Sequence, residues 1–335
     1  MRFAIVGCGF IGEKRAASLT PGSEIVGVAD IDQKRAKSLA DHHNAKCYDD
    51  WRAAINDSEV EVVIVATVHS ELATIALAAV EAGKHVLLEK PGARSPAELE
   101  KLQEAALINE VQVHVGFNHR FHPAMIKARE IVDSGALGPI YFVRGRYGHG
   151  GRKGYDEEWR AKPEVSGGGE LLDQGAHLID LSRWFIGDDF QRVSSEITTY
   201  FWNMPVEDNA FLTLATGNRQ VAQLSVSWTE WKNLFCLEIT GRNGKLEING
   251  LGGSYGTERL AFYKMKPEMG PPETTIYEYP GPDTSWRAEL EHFLSRIRDR
   301  RNSEPNLQST ARVLSIIEQV YRDHDVAWLA SENPQ

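Results

Sequence analysis

Cysteine is scarce. Cys8, Cys47 and Cys236 are the three in 335 residues, far apart, odd in number and without C-x-x-C spacing. Neither a disulfide framework nor a zinc site is expected of them, and each is read as a small buried side chain. Long apolar runs are missing too. No stretch approaches the roughly 18 residues that a membrane-spanning helix needs, and the run Phe3 to Val6 behind Met1 and Arg2 is too short for a signal-peptide core. No membrane partner is expected, and the expected location is cytoplasmic. Clustered positive charge is nearly absent. With a formal charge of -10, the only basic run is Arg296 to Arg301, R-I-R-D-R-R, read as a solvated helix end, and a nucleic-acid partner is not expected. What remains is ordinary globular composition, 42% hydrophobic and 25% charged, on a chain long enough for two domains. No internal repeat or low-complexity segment is present.

The first chemistry-bearing feature is G-x-G-x-x-G at Gly7-Cys8-Gly9-Phe10-Ile11-Gly12, directly after the apolar run Arg2 to Val6 and before the helical composition of Glu13 to Leu19. Gly7 suits a tight turn, Gly9 lets a pyrophosphate approach the backbone, and Gly12 allows helix to pack closely on strand. A second apolar strand, Glu24 to Ala29, ends at Asp30, near the spacing of about 20 residues expected of the acid that holds the adenosine ribose. This predicts a dinucleotide site. A carboxylate at Asp30 should repel a 2′-phosphate and so favour NAD, while Lys34 and Arg35 leave NADP open.

Strand and helix patterns then alternate: helices at Gln33 to His42, Trp51 to Asn56, Ser70 to Ala82 and Ser95 to Ile108; strands at Val60 to Thr67, His85 to Leu88 and Val111 to Gly116. Such alternation predicts a doubly wound parallel sheet with its ligand at the strand carboxyl ends. Lys90, in Glu89-Lys90-Pro91, falls at that edge and could hold a substrate hydroxyl or the nicotinamide ribose; its bland reading is a surface ion pair with Glu89.

The stretch Gly167 to Asp180, G-G-G-E-L-L-D-Q-G-A-H-L-I-D, places Asp173 and His177 at i and i+4, on one helix face. The glycines are read as leaving the backbone open to close approach. An imidazole there could take a hydroxyl proton, with Asp173 fixing or polarising the pair. The competing reading is a helix start whose His177 bonds to Asp180 for structural reasons.

In the second half, a helix is expected at Ala124 to Asp133 and a strand at Tyr141 to Tyr147. The loop carrying His149, Arg152, Lys153 and Arg160 is read foremost as solvated, with a sugar- or phosphate-facing loop as the alternative. Strands follow at Val193 to Phe201, Asn209 to Ala215, Gln220 to Glu230, Leu234 to Thr240 and Lys245 to Ile248, an antiparallel meander. Gly250 to Gly256 and Pro267 to Pro282 are read as loops, and helices at Trp286 to Arg298 and Leu307 to Arg322 close the chain. Trp228 and Trp231 are assigned to packing against a partner subunit, in preference to a sugar face.

The chain resembles the glucose-fructose oxidoreductase, inositol dehydrogenase and MocA family. The resemblance rests on the Gly7 to Gly12 motif, on Gly83 to Pro91, on Gly116-Phe117-Asn118-His119-Arg120-Phe121 and on Gly167 to Asp180, in family order over nearly the whole length. It implies an N-terminal Rossmann domain at residues 1–120, followed at 121–330 by an α+β domain with a large open antiparallel sheet for substrate and oligomer contacts. It further implies NAD(P)-dependent oxidation or reduction at a sugar, polyol or nucleotide-sugar carbon by a homodimer or homotetramer. Lys90, Asp173 and His177 are then the catalytic set, with Arg120 joining them at the substrate. The cofactor residues are Gly7, Gly9, Phe10, Ile11, Gly12, Asp30, Thr67, His69, Glu89, Lys90 and Asn118, and no metal is implied. One departure stands out. Where family members carry a Pro-Asn pair and a later His, this chain has Thr67-Val68-His69, so His69 is either a replacement contact or an ordinary loop residue. Two rival functions are a glycosidase acting through transient oxidation by NAD and a non-catalytic dinucleotide sensor.

Overall fold

A computed structural model describes residues 1–326. The chain divides into two units. In the first, six parallel strands run in the order β3-β2-β1-β4-β5-β6: β1 (Arg2–Val6), β2 (Glu24–Ala29), β3 (Lys46–Tyr48), β4 (Val62–Val65), β5 (His85–Glu89) and β6 (Val113–Gly116). Helices α1 (Phe10–Ala17), α2 (Gln33–His43), α3 (Trp51–Asn56), α4 (His69–Glu81) and α5 (Pro96–Ile108) connect them. The strands read as unbroken Val, Ile and Leu because both faces are covered, and β1 and β4 are almost wholly buried. Helix starts are chemically marked. Asp32 accepts the Lys34 and Arg35 N–H groups at the head of α2, and Asp50 accepts that of Arg52 at the head of α3. The strand order reverses direction between β1 and β4, where such sheets open a crevice at their carboxyl ends.

The second unit carries α6 (Pro123–Asp133), β7 (Ile140–Gly148), the start of the short α7 (Pro163–Ser166) that precedes the glycines, α8 (Ala176–Ile186), and strands β8 (Phe190–Thr198), β9 (Asn209–Thr216), β10 (Val221–Ser227), β11 (Leu234–Gly241), β12 (Gly244–Asn249), β13 (Glu258–Lys264) and β14 (Glu273–Tyr279). Its eight-stranded sheet has the order β14-β13-β12-β11-β7-β10-β9-β8. Every pairing is antiparallel except β7 with β10, so the expected meander is broken once: α8 intervenes after β7 and lets the chain return in the same direction. Helices α6 and α8 cover one face. Gly145 makes this possible on β7, since a Cβ there would press on Leu178 and Leu224 at 3.1 Å. On the other face Arg144, Arg146 and Phe211 stand exposed.

Three expectations need correction. The segment Pro267 to Pro282 is not all loop: Glu273–Tyr279 pairs with β13 as an edge strand, its Thr, Ile and Tyr residues outweighing the prolines at either end. Trp228 is completely buried against Tyr155 and Val206, so it faces neither sugar nor subunit. Cys47 is exposed, whereas Cys8 is buried.

The last helices, α9 (Ser285–Asp299) and α10 (Leu307–Asp323), change the domain division. Val165–Gly167 and Trp286–Leu314 group with the first unit, in place of a single cut after residue 120; residues 327–330 of the expected second domain lie outside the described residues. The cause is packing. Leu290, Phe293 and Leu294 of α9 join the core built from Phe3, Ile5 and Leu87, and a buried ion network ties them in. Arg15 donates from Nε to Glu89 at 2.6 Å and from Nη1 to Glu289 at 2.5 Å. His114 lies 3.3 Å from Glu289 through Nε2 and 2.7 Å from the Ser303 hydroxyl through Nδ1. Burial raises the Glu89 pKa, with Arg15 opposing it, whereas at Glu289 burial is outweighed by Arg15 and His114 and the pKa falls. Among the described residues no helix is long and apolar enough to cross a membrane.

Arg15→Met strands two buried carboxylates, and losing one partner of a buried charge cluster costs about 3–5 kcal/mol. Urea unfolding of the variant should show a loss of that size; unchanged stability would mean the network contributes nothing to holding α9.

Candidate active site

All the expected cofactor residues lie at carboxyl ends of the first unit's strands or just beyond. Gly7 adopts φ +97°, and a Cβ on it would collide with the Ala66 carbonyl, as one on Gly12 would with the Gly7 carbonyl. Gly9 is different. Its nearest neighbour would be Arg35 Nη1 at 3.7 Å, which leaves the backbone open to a phosphate group at the head of α1, beside Phe10 and Ile11. Asp30 is pinned above this turn, accepting the Cys8 N–H at 2.6 Å and the Asp32 N–H at 2.7 Å. Each carboxylate oxygen keeps a second lone pair for a ribose hydroxyl. Phe10 is 70% exposed and Ile31 fully so, apolar surfaces suited to an adenine ring. The residues therefore fit a bound dinucleotide.

The remaining contacts sort differently. Thr67 turns its hydroxyl to the Val68 carbonyl at 3.3 Å. His69 is buried and holds the Ser166 carbonyl at 2.8 Å through Nδ1, so its ring fastens the segment before the glycines. Glu89 is buried and taken up by Arg15, and Lys90 adds a weaker attraction to the same carboxylate. Lys90 is half-buried directly after β5, and Asn118 is buried just past β6.

In the second unit, Asp173 sits in a π-helical turn, Leu171–Gly175, that runs into α8. Such turns widen the helix by one residue and recur at functional sites. The i and i+4 pair of the sequence is thus split between a π turn and an α-helix, and each member meets another residue. Asp173 Oδ2 lies 3.3 Å from Arg160 Nε. The His177 ring stacks on His119 with centroids 3.7 Å apart. Asp180, offered as a structural partner for His177, instead accepts both Nε and Nη2 of Arg120, at 2.8 and 2.6 Å. That bidentate, buried pair ties Arg120 to α8.

The glycines before the π turn are filled positions. A Cβ at Gly167 would press on the Arg94 side chain, one at Gly168 on the Tyr321 hydroxyl, and one at Gly169 on the Glu207 backbone. They admit neighbouring side chains and backbone, and the expectation that they stand open for a ligand is corrected.

Several residues join this cluster that sequence pattern did not single out. Tyr147 lies with its ring 6.3 Å from His177 and 5.5 Å from Tyr255, and Gln174 Nε2 donates to the Tyr255 hydroxyl at 3.4 Å. Tyr147 had a signal, since the register of β7 turns it inward; Tyr255, in a glycine-rich loop, had none. Arg160 of the 149–160 loop pairs with Asp173, whereas Arg152 is largely exposed and pairs with Glu158. Burial pushes the Tyr147 phenol well above its ordinary value, helped by Tyr255, Glu170 and Asp173. It takes Tyr255 up to about 12. Burial also lowers the His149 pKa, and it works against the Arg160 charge, which Asp173, Tyr155 and Glu158 hold in place. The cluster offers phenol and guanidinium donors beside a carboxylate and imidazoles, a set that suits a polyhydroxylated ligand.

Residues 1–117 match the oxidoreductase family with an NAD-binding Rossmann fold, and residues 125–247 match the Gfo/Idh/MocA C-terminal domain. An inositol 2-dehydrogenase of Rubrobacter xylanophilus is 31% identical over 262 residues, 75% of this chain and 72% of its own. The chain belongs to the Gfo/Idh/MocA family. It is also similar to the inositol 2-dehydrogenase of Salmonella paratyphi B, at 29% identity over 288 residues, covering 79% of this chain and 81% of that one. A solved levoglucosan dehydrogenase in complex with NADH and levoglucosan shares the fold, with TM-score 0.84 and 24% identity over 96% of each chain. As a Gfo/Idh/MocA member the protein is an NAD-binding oxidoreductase, and its parallel sheet and its separate, mostly antiparallel sheet are those the resemblance implied.

Asp30→Ala should weaken NAD binding roughly tenfold, about 1.4 kcal/mol, and narrow the preference over NADP. Fluorescence titration with both coenzymes checks this; equal NAD affinity in variant and parent would remove Asp30 from the site.

Proposed function

We propose that the protein is a sugar or polyol dehydrogenase, transferring hydride between NAD and a carbinol carbon of a free polyol or sugar. The observation that carries this reading is the constellation in the second unit: Asp173 beside Arg160 at 3.3 Å and His177 stacked on His119, on consecutive helical turns. The relatives' names, inositol 2-dehydrogenase, support the substrate class. The residues that hold NAD are Gly7 to Gly12, Asp30, Thr67, Lys90 and Asn118, and the nicotinamide, when bound, supplies the hydride acceptor.

The protein's own groups do the rest. His177 accepts the hydroxyl proton as the carbon–hydrogen bond breaks and the carbonyl forms. Lys90 and Asp173 orient the oxygen, and the lysine charge steadies developing alkoxide. Arg160 holds Asp173 in place, and Arg120 fixes α8 through Asp180. In the reverse direction His177 returns the proton to a ketone oxygen.

We also propose a homodimer or homotetramer formed through the face of the large sheet that the helices leave uncovered. Its charges, Arg144 and Lys245 with Glu238, are of both signs and suit pairing with a second copy of the same surface.

Initial rates with NAD+ and a panel of inositols, free aldoses, anhydrosugars and nucleotide sugars test the substrate class. NADH should accumulate with an inositol or free sugar; sugar release from a glycoside without net NADH would instead favour the glycosidase. His177→Ala should cut turnover by about two to four orders of magnitude with NAD affinity nearly unchanged. Undiminished turnover would remove His177 from catalysis.

A further inference from the structure

The start of the helix that bears Asp173 and His177 rests on one buried carboxylate. Glu207, just ahead of β9 and 5% exposed, accepts the Gly169 N–H at 3.1 Å, the Leu171 N–H at 3.0 Å and the Tyr321 hydroxyl at 2.8 Å. Its backbone carbonyl takes a further donor, the Glu170 N–H, at 3.0 Å. Two of the three N–H groups belong to residues immediately before the π turn, and the third opens it. A helix start leaves such donors without intrahelical partners, and a negative charge there also meets the positive end of the helix dipole.

Gly168 and Gly169 have no side chains, and their missing Cβ atoms are what let the Tyr321 hydroxyl and the Glu207 backbone come close. Asp173 lies four residues beyond Gly169, and its own N–H donates to the Gly169 carbonyl at 3.0 Å. A shift of the Gly169 peptide therefore moves Asp173 directly and His177 through the turn that follows.

We propose that Glu207, backed by Tyr321 from α10, is a positioning residue for catalysis: it clamps the Gly169–Leu171 backbone so that Asp173 and His177 meet the substrate in register. This deepens the function proposed above and rests on it for the roles of those two residues. Displacements of about 1 Å at a reacting pair lower turnover by about a hundredfold, so the clamp acts on turnover and leaves coenzyme binding to the other unit.

The clamp also carries a pH signature. Burial pushes the Glu207 carboxyl up to about 7 against the opposing hydrogen bonds from Tyr321, Leu171 and Gly169. The titratable group facing it is Tyr321, which burial and Glu207 hold well above its ordinary value, so it stays a donor throughout. Because the folded-state value lies above that of an unfolded glutamate, near 4.5, the associated stability is fully present below about 4.5 and is lost as pH rises through about 7.

The test compares the full-length parent with Glu207→Gln, Tyr321→Phe and His177→Ala, measuring kcat and KM for the best polyol of the panel, NAD affinity, and Tm from pH 4.5 to 8. Glu207→Gln, which keeps an acceptor but not the charge, should lower kcat by about ten- to a hundredfold with NAD affinity within twofold, and Tyr321→Phe should lower kcat by about three- to tenfold. Glu207→Gln should also flatten the fall of Tm between pH 4.5 and 7. Should Glu207→Gln fail to fold, Tyr321→Phe decides by the same kcat and affinity criteria. Parent-like kcat in Glu207→Gln and Tyr321→Phe, while His177→Ala is inactive, overturns the clamp and spares the catalytic reading. Parent-like kcat in His177→Ala overturns that reading and, with it, the clamp's purpose.

Discussion

Close approach to the backbone, which only glycine permits, is the constraint on which both halves of this protein depend. At Gly7 and Gly12 a side chain would collide with main-chain carbonyls, and at Gly9 nothing stands in the way. The turn after β1 is therefore tight and still leaves one face of the peptide chain for a phosphate. At Gly168 and Gly169 the same property is used the other way round. There the space of the missing side chains is filled by Tyr321 and Glu207, and the helix start is locked. One glycine run makes room for a ligand; the other makes room for the protein itself.

Charge is handled by the same logic of enclosure. In the first unit the acid preceding Lys90 is occupied by Arg15, which also reaches Glu289 on α9. In the second, Arg120 is occupied by Asp180 and Asp173 is approached by Arg160. Buried ion pairs of this kind add little net stability but cost much when one partner is removed. They hold side chains still, Glu89 and Arg120 among them.

The cofactor half was legible in the sequence because its signals are local: a strand, three glycines, a helix and an acid follow one another within some thirty residues, and each has one conformational use. The alternation of the first unit and most strands of the second were legible for the same reason. What was not legible is nonlocal. The return of α9 to the first unit depends on Leu290, Phe293 and Glu289 meeting partners more than 170 residues away. Arg160 beside Asp173 and His119 against His177 come from separate segments, whereas helical spacing paired Asp173 with His177 and offered Asp180 as the structural alternative for the imidazole. The π turn at Leu171–Gly175 is invisible to a period of 3.6, and the strand Glu273–Tyr279 was hidden by flanking prolines. Trp228 shows that an aromatic on an open sheet can still be core when a loop folds over it.

The central claim is that hydride leaves a carbinol carbon of the substrate for the nicotinamide while the protein takes the proton. Its most direct test is isotopic: incubation with NAD+ and a polyol deuterated at its carbinol carbons, followed by mass spectrometry of the reduced coenzyme. The account predicts NADH carrying one deuterium from the substrate carbon. Reduced coenzyme without substrate deuterium, or no reduction with any polyol or sugar, would contradict it.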